Sequence, residues 1–561
     1  MKSFLLKTIL FLIFLFAFFL LIFSAKQDSL TTDEAVHLFA GYTYITRNAS
    51  HSFRLDPEHP PFLKEIAAVP LLFFQNLKVP IDGLWDKAGN FYVDSWQEAR
   101  VLSEQFLFGL GNNADKLIFW GRFPFIILTL ILGFAVYWWS RKIYGEKAGI
   151  FAAFLILFLP NILAHGRLIN TDLGLTLFIF LAIYYWTKFL KSASWRTTWL
   201  GFLMSGVFTG LAFASKFTSL ILVPILIVLM IAKLIYDKDF KKWPKYLVGF
   251  LGVMVIGFII VWASYGFSVQ APPKPLGSLS ENIKLWTSFN VPNSLDVIFQ
   301  KIRPILFPAD FYKGFFLVGR HALAGHGSFL LGQTSNTGWW YYFPVAIFMK
   351  TPIPFFIFLI LAIIFWKKIK TKESFDEVAL LAAPIIFLII SMFTKADLGV
   401  RHILPIFPFL AVYASKSINL VDFSKVKIPV ILFSILILWY LLSTISSYSN
   451  YLAYFNEAAG GPKRGFKILA DSNLDWGQDI FRIKKYLDEH QITDGYILYP
   501  WNGDQALKYY GINLKSMPWD DQNIKGNVVV SATYLQLADL SWLWQYPYEQ
   551  ITPGVFIFRL D

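Results

Sequence analysis

Long apolar runs alternate with short basic connections along most of this chain. Runs near 20 residues, the length a helix needs to cross a hydrocarbon core, predict eleven spans at about 5–24, 117–139, 148–165, 172–190, 199–214, 217–235, 246–266, 340–366, 378–394, 402–419 and 428–447. Little separates the spans 199–214 and 217–235. Every second connection is basic: Arg141 and Lys142; Lys188, Lys191 and Arg196; Lys233, Lys238, Lys241, Lys242 and Lys245; Lys367, Lys368, Lys370 and Lys372; Lys416, Lys425 and Lys427. The positive-inside rule makes these cytoplasmic and puts the alternate connections outside. Lys2 and Lys7 before an apolar run ending near Phe23-Ser24-Ala25 loosely resemble a secretory signal. With so many spans following, a retained first span is expected.

Three long polar segments, about 25–116, 267–339 and 448–561, fall on the outer side. The first is rich in carboxylates. The second opens on Ala271-Pro272-Pro273-Lys274-Pro275. The third reads as a small extracytoplasmic α/β domain: a strand end at Ile468-Leu469, a helix over 477–490, a strand at 496–499, a helix over 504–511, and strands at 528–530 and 555–558. The expected domains are thus a transmembrane unit over 1–447 and this unit over 448–561.

Composition sharpens this picture. The chain is 56% hydrophobic and 16% charged, against about 25% charged in soluble proteins. The absence of cysteine removes disulfides, thiolate metal sites and cysteine nucleophiles. The net charge of +13 lies mainly in the short loops, which favours membrane orientation over nucleic-acid binding. Elaborate outer loops put the work outside, where ATP is not available, and no Walker-type glycine loop is present. Chemistry there needs a carrier that delivers an activated group across the membrane, and a lipid phosphate does this.

Four constellations carry candidate chemistry. Thr31-Thr32-Asp33-Glu34-Ala35-Val36-His37 follows the first span. Asp33 or Glu34 can accept the proton of an attacking hydroxyl, although Thr31-x-x-Glu34 is also a helix capping box. Asp33 and His37 are i,i+4 neighbours, able to form a dyad or half of a metal site. Next, Arg54-Leu55-Asp56-Pro57-Glu58-His59-Pro60-Pro61 precedes an apolar stretch, 66–74, that reads as an interfacial helix. Here Glu58 is a candidate ligand for a divalent metal ion and His59 for a phosphate; an acidic turn before a helix is the alternative. Third, polar groups stand at outer span ends: His165, Arg167, Asn170, Thr171 and Asp172; Ser215, Lys216 and Thr218; Lys395, Asp397, Arg401 and His402. Ionisable groups at membrane depth cost about 2.5–3.5 kcal/mol each, so they tend to be functional, and cations there can receive a leaving phosphate; for any single one, snorkelling to the interface is the stronger alternative. Lys216 stands out because it breaks the positive-inside pattern. Finally, Asn456-Glu457-Ala458-Ala459-Gly460-Gly461-Pro462 and Asp471-Ser472-Asn473-Leu474-Asp475-Trp476-Gly477-Gln478-Asp479 lack the EF-hand spacing. Ser472 or Asn473 reads as a helix cap. Trp476, Trp501, Trp519, Trp542 and Trp544 read as headgroup anchors more readily than as sugar platforms.

In this order the motifs TTDEAVH, DPEHPPFLKEIAAVP, AHGRLINTD, GLAFASKFTSLILVP, FPVAIFMKTPIPF, GVRHILPIFPF, YFNEAAGGP and DSNLDWGQD resemble glycosyltransferase family 39. This is the dolichyl-phosphate-mannose protein mannosyltransferase superfamily of GT-C fold, with its bacterial phospholipid carrier-dependent members. The resemblance implies an inverting hexosyl- or pentosyl-type transferase that takes sugar from a polyprenyl-phosphate donor. It implies Asp33 as base, with Glu34 and Asp172 completing the acidic set. The charges at span ends then put Lys216, Arg401 and His402, with Arg167 as a further candidate, on the donor phosphate, and His59 is a candidate phosphate contact from the second motif. Related lipid A aminoarabinose transferases carry Glu-Lys-Pro-Pro, with the Glu near a metal; here the segment is Glu58-His59-Pro60-Pro61, with His in place of Lys. The segment 267–339 is too short for the MIR domains of protein mannosyltransferases, and the acceptor is left open among lipid, glycan and protein. The rival readings are a lipid or sugar transporter or flippase, and a transferase of another lipid-borne group. Charges at span ends rather than mid-span speak against the first. The lack of a dense Asp/His cluster in the C-terminal segment speaks against the second.

Overall fold

The computed structural model describes residues 2–46, 55–80, 96–268, 307–369, 371, 374–423, 427–500, 504–518 and 521–560. Arg54, Ala271–Pro275, Lys370, Lys372, Lys425, Trp501 and Trp519 lie outside them. The chain is an integral membrane protein built mostly of helices. Among the described residues, seven helices are long and apolar enough to cross a membrane: Phe4–Ala25, Ala114–Tyr144, Thr171–Lys191, Phe217–Asp237, Phe240–Ser264, Ser374–Ser391 and Ile428–Ile445. They coincide with seven of the eleven expected spans.

The other four apolar runs are helical but interrupted, short or more polar. Residues 148–165 form Glu146–Leu157 and Pro160–His165, broken where Pro160 starts a new helix. Residues 340–366 form Tyr342–Lys350 and Ile353–Ile364, bent by 106° across Thr351-Pro352. Ile406–Leu420 is apolar but short. Trp195–Phe213 is one helix of 19 residues, ended by the turn that presents Lys216.

The two ends of the bundle differ in chemistry. Thr171–Lys191 has Asp172 in its first turn and Lys191 in its last, about 30 Å apart at 1.5 Å per residue. At the Lys191 end, Lys191 pairs with Asp376, and Lys416 with Glu377 at 2.8 Å. Asp376 and Glu377 open the helix Ser374–Ser391, where carboxylates also suit the helix dipole. Lys191 and Lys416, both expected to be cytoplasmic, therefore share one end. Asp172, Lys216 and Arg401 gather at the other.

At that second end the helix Glu34–Thr46 is buried along most of its length. It lies against the helix Phe62–Ala68 so closely that a Cβ at Gly41 would stand 1.9 Å from the carbonyl oxygen of Lys64. The 3-10 turn Val69–Phe73 continues from Phe62–Ala68 and exposes Val69, Leu72 and Phe73, the apolar face expected of an interfacial segment. An ion pair ties this layer to the bundle. Arg122, on Ala114–Tyr144, donates through Nε to Glu34 Oε1 at 2.8 Å and through Nη2 to Glu34 Oε2 at 2.6 Å, and neither side chain is exposed.

The C-terminal segment ends in a five-stranded sheet. Beyond the hairpin β1 (Ser328–Leu330) and β2 (Gln333–Ser335), the strands are β3 (Tyr496–Leu498), β4 (Lys515–Ser516), β5 (Gly526–Ser531), β6 (Tyr548–Thr552) and β7 (Val555–Leu560). Their order is β4-β3-β5-β7-β6, with β3 parallel to β4 and β5, and β7 antiparallel to β5 and β6. Leu469, expected at a strand end, makes only one antiparallel bridge, to Leu330. The helix expected from 477 starts at Ile480 with Asp479 at its cap. Residues 471–479 are committed elsewhere. Ser29 donates through its amide to Gln478 O at 3.0 Å, and Thr32 to Trp476 O at 2.9 Å, so this stretch is laced to the loop after the first span. Asp475 is buried in it. Burial first, and the neighbouring Asp479 second, push its acid up to about 7, against hydrogen bonds from Ser531, the Gly477 amide and Tyr499.

Two predictions follow from these buried groups. Arg122→Ala leaves Glu34 buried and unpaired, which costs about 3–5 kcal/mol; a lowered midpoint of thermal unfolding in detergent measures it. Asp475 keeps its proton up to about pH 7 when folded, but releases it near its ordinary 3.8 when unfolded. Between these values the folded state binds more protons, so stability falls as pH rises. Asp475→Asn should remove that slope. The stability difference between variant and wild type should grow by up to roughly 4 kcal/mol from pH 4 to pH 7, read from unfolding midpoints across pH.

Candidate active site

Four separate parts of the chain meet at the Asp172 end of the bundle. Asp33 ends the turn before Glu34–Thr46. Asp172 lies in the first turn of its helix, capped by Asn170, whose Oδ1 accepts from the amides of Asp172 at 3.0 Å and Leu173 at 3.3 Å. Lys216 stands just before the 3-10 turn Phe217–Ile221, and Arg401 and His402 lie in the 3-10 turn Val400–Ile403. Arg401 Nη1 is 3.3 Å from Asp33 Oδ2 and 3.6 Å from Asp172 Oδ2. Lys216 Nζ holds the other oxygen, Asp172 Oδ1. Arg401 Nε donates to Ser472 Oγ at 3.0 Å, and its guanidinium carbon lies 4.2 Å from the Trp476 ring centroid.

His402 completes the group. Its Nε2 is buried with no hydrogen-bond partner among the described residues, within electrostatic reach of Lys216, Arg401, Asp172 and His59. A buried polar atom without a partner is rare and calls for an explanation. Here it faces a cluster able to take an anion. Asp33, with its side chain 19% exposed against 1% for Asp172, is the carboxylate of this cluster that remains open to an incoming group.

Glu34 and Arg167 are placed differently from the sequence expectation. Besides Arg122, Glu34 accepts from the amides of Thr31 and Ile169, each at 2.8 Å. The bond to Thr31 is the return half of the capping box. With its acceptor sites filled and no exposure, Glu34 anchors the loop rather than meeting a ligand. Arg167 is unexposed and bound to Asp28, with Nη2 also donating to Ser449 O at 3.0 Å. Arg482 Nη2 meets the second Asp28 oxygen at 2.9 Å. Arg167 is thus spent on the loop after the first span and is withdrawn from the phosphate cluster. The reason in both cases is that a fully buried ion must be paired.

The second motif forms the neighbouring wall. Lys64 Nζ donates to Asp56 O and His59 O, each at 2.6 Å, and to Asp56 Oδ2 at 3.1 Å. Burial works against the Asp56 charge, but Lys64 and His59 overcome it and hold the acid far below the usual carboxylate range. Burial pushes His37 down to about 4, with His59 adding to the effect, so His37 is neutral at physiological pH. Glu58 is raised, first by burial, and faces His321 Nδ1 at 3.6 Å. As a metal site Glu58 offers that two-donor pair. His37, Asp56 and His59 form a three-donor group.

Several contributors were not legible beforehand. Trp476, read as a headgroup anchor, lies buried under Arg401. Ser472, read as a cap, binds that arginine instead. Asn473 donates to Tyr342 Oη at 2.9 Å and accepts from the Val400 amide at 3.0 Å, fixing the turn that carries Arg401. Arg122 had a signal, a lone charge inside an apolar run. Asp397 accepts from the Trp339 amide at 2.7 Å, with burial raising its acid to about 6; it supports a loop outside the cluster.

Known proteins are similar to this chain in sequence or in fold. Residues 110–262 match the family model of dolichyl-phosphate-mannose-protein mannosyltransferase. An uncharacterized protein of Aquifex aeolicus (strain VF5) is 26% identical over 244 residues, covering 40% of this chain and 47% of its own length; the match thus spans about half of that curated relative. The archaeal oligosaccharyltransferase AglB of Archaeoglobus fulgidus, solved with an inhibitory peptide and a dolichol-phosphate, is similar over 100% of this chain and 74% of its own, with 14% identity and a TM-score of 0.50. ArnT of Cupriavidus metallidurans, solved bound to undecaprenyl phosphate, is similar over 98% and 97%, with 13% identity and a TM-score of 0.47. Over residues 110–262 the chain is thus similar to the dolichyl-phosphate-mannose-protein mannosyltransferase family, and its membrane fold is held in common with AglB.

Proposed function

We propose that this chain is an inverting glycosyltransferase that moves a sugar from a polyprenyl-phosphate donor to an acceptor on the extracytoplasmic face of the membrane. The observation that carries the reading is one part-exposed carboxylate, Asp33, set 3.3 Å from a buried arginine in a cluster with Lys216 and the unpartnered His402. An acceptor hydroxyl attacks the anomeric carbon while Asp33 takes its proton. The bond from that carbon to the phosphate oxygen breaks, and the electron pair leaves on the phosphate. Lys216 and Arg401 receive that charge in a place closed to bulk water, where fixed cations act most strongly, and His402 offers a hydrogen bond from its buried Nε2. Asp172 holds Lys216 and Arg401 in position, and His59 stands beside them as a further phosphate contact. A GT-C protein solved with a dolichol-phosphate supports a lipid-phosphate donor. The lysine-rich opposite end of the bundle supports an outward-facing site. Sugar and acceptor are open choices for this site. Glu58 with His321 remains a candidate for the divalent ion implied by the family resemblance.

The purified chain, assayed with a panel of radiolabelled polyprenyl-phosphate sugars, tests the reading. Transfer from one donor is expected, and Asp33→Asn should lower its rate about 10²–10⁴-fold with little change in donor binding. Lys216→Ala should weaken donor binding instead. Full transfer by Asp33→Asn would make the assigned base wrong, and unchanged donor affinity in Lys216→Ala would remove the phosphate role.

A further inference from the structure

The packing of Glu34–Thr46 against the turn before Phe62–Ala68 brings two imidazoles and a carboxylate to one point. His37 Nε2 is 3.7 Å and His59 Nδ1 is 3.8 Å from the same oxygen, Asp56 Oδ2. The three atoms lie within 4.8 Å of one another, and the two rings stand edge to face with centroids 5.0 Å apart. Neither distance to the carboxylate is a hydrogen bond.

The far side of His37 decides what fills the gap. Its Nδ1 is 3.2 Å from Ile169 O. A carbonyl only accepts, so Nδ1 carries the proton and Nε2 turns a lone pair toward Asp56. Two electron-rich atoms then face each other in a buried space with no proton between them, which favours a cation there. A carbonyl on the outer nitrogen is also the usual support of a metal-bound histidine, fixing both its tautomer and its ring orientation.

We propose that His37 Nε2, His59 Nδ1 and Asp56 Oδ2 bind a divalent ion of the zinc class, with its fourth position left for an outside ligand; His59 lies within electrostatic reach of His402. Zinc bonds to nitrogen and oxygen ligands run to about 2.0–2.2 Å, so tetrahedral ligand atoms stand roughly 3.4 Å apart. The two edges at Asp56 Oδ2 must each close by a few tenths of an ångström, and the His37–His59 edge, at most 4.8 Å long, must close to the same span. His59, 22% exposed at the side chain, has room to make that movement. Lys64, already on Asp56 Oδ2, holds the carboxylate still and offsets its charge, which suits a single-oxygen ligand. An imidazole-rich, cysteine-free set selects zinc-like ions over magnesium or calcium, which prefer all-oxygen shells. Resting on the lipid-phosphate reading, the open position would accept a phosphate oxygen of the donor. The site is distinct from the Glu58–His321 pair, and variants separate the two.

The test uses the full chain in detergent, stripped with a chelator and titrated with Co²⁺ alone. Wild type should develop the visible absorption of low-coordinate Co²⁺ and lose it on adding Zn²⁺. His59→Ala, at a part-exposed position, should keep the wild-type unfolding midpoint and lose the absorption. His37→Ala and Asp56→Asn should lose it too; if either fails to fold, His59→Ala decides alone. Glu58→Gln should retain it. A wild type without the absorption, His59→Ala with it undiminished, or its loss in Glu58→Gln would each overturn the site. Because sugar transfer is not the readout, Asp33→Asn should keep the Co²⁺ absorption while losing transfer. Failure of the metal site and failure of the glycosyl-transfer reading are thereby told apart.

Discussion

A guanidinium that cannot shed its charge and sits at the closed end of a membrane bundle must be given partners. Arg401 has this demand, and much of the architecture around it answers to it. Its partners come from the loop after the first span (Asp33), the start of the Thr171–Lys191 helix (Asp172), and the C-terminal segment (Ser472 and Trp476). Asp33 and Arg401 are 368 positions apart in the chain. The satisfied arginine therefore fixes where the part-exposed carboxylate of Asp33 stands. It also makes residues 471–479 part of the site rather than an appendage to it.

The same electrostatic demand separates two adjacent carboxylates. Asp33 and Glu34 are neighbours at a helix start, and successive helical residues point about 100° apart. Glu34 turns into the bundle and is locked by Arg122, while Asp33 turns toward Arg401 and keeps partial exposure. A second pair of arginines, Arg167 and Arg482, grips Asp28 at the base of the same loop. The loop is thus clamped on both sides of Asp33. In the proposed reaction, a base fixed in this way would need no reorganisation when the proton is transferred.

Much of this was legible in the sequence. Seven spans follow from apolar length alone, because a continuous helix registers directly in a hydropathy window. The bend at Thr351-Pro352 did not, since averaging over 340–366 hides a proline that starts a new helix. The strands at 528–530 and 555–558 were visible as runs of β-branched and aromatic residues. The edge strand Tyr548–Thr552, with its exposed Tyr548 and Glu549, carries no such signal. Charges at span ends pointed to Asp172, Lys216 and Arg401, which the fold does bring together. Arg167 bore the same mark and was drawn into an internal pair. Composition cannot tell a cation reserved for a ligand from one already used, because the difference lies in the partner, here Asp28, and in the geometry between them.

Exposure shows how the site is approached. The side chains of Asp172, Lys216 and Arg401 are 1%, 9% and 10% exposed, whereas Asp33, Glu58 and His59 are 19%, 22% and 22% exposed. The cations lie deep and the more open carboxylates lie at the mouth. A bound anion would therefore be drawn inward past His59, while an uncharged hydroxyl could remain at the level of Asp33. Trp476 closes the far side with an apolar plate behind the guanidinium, where it keeps water from screening the charge that Arg401 presents. The division follows from packing alone. A full negative charge at depth would need the buried cations Lys216 and Arg401 beside it to offset its desolvation, whereas a hydroxyl releasing a proton would need only the part-exposed carboxylate.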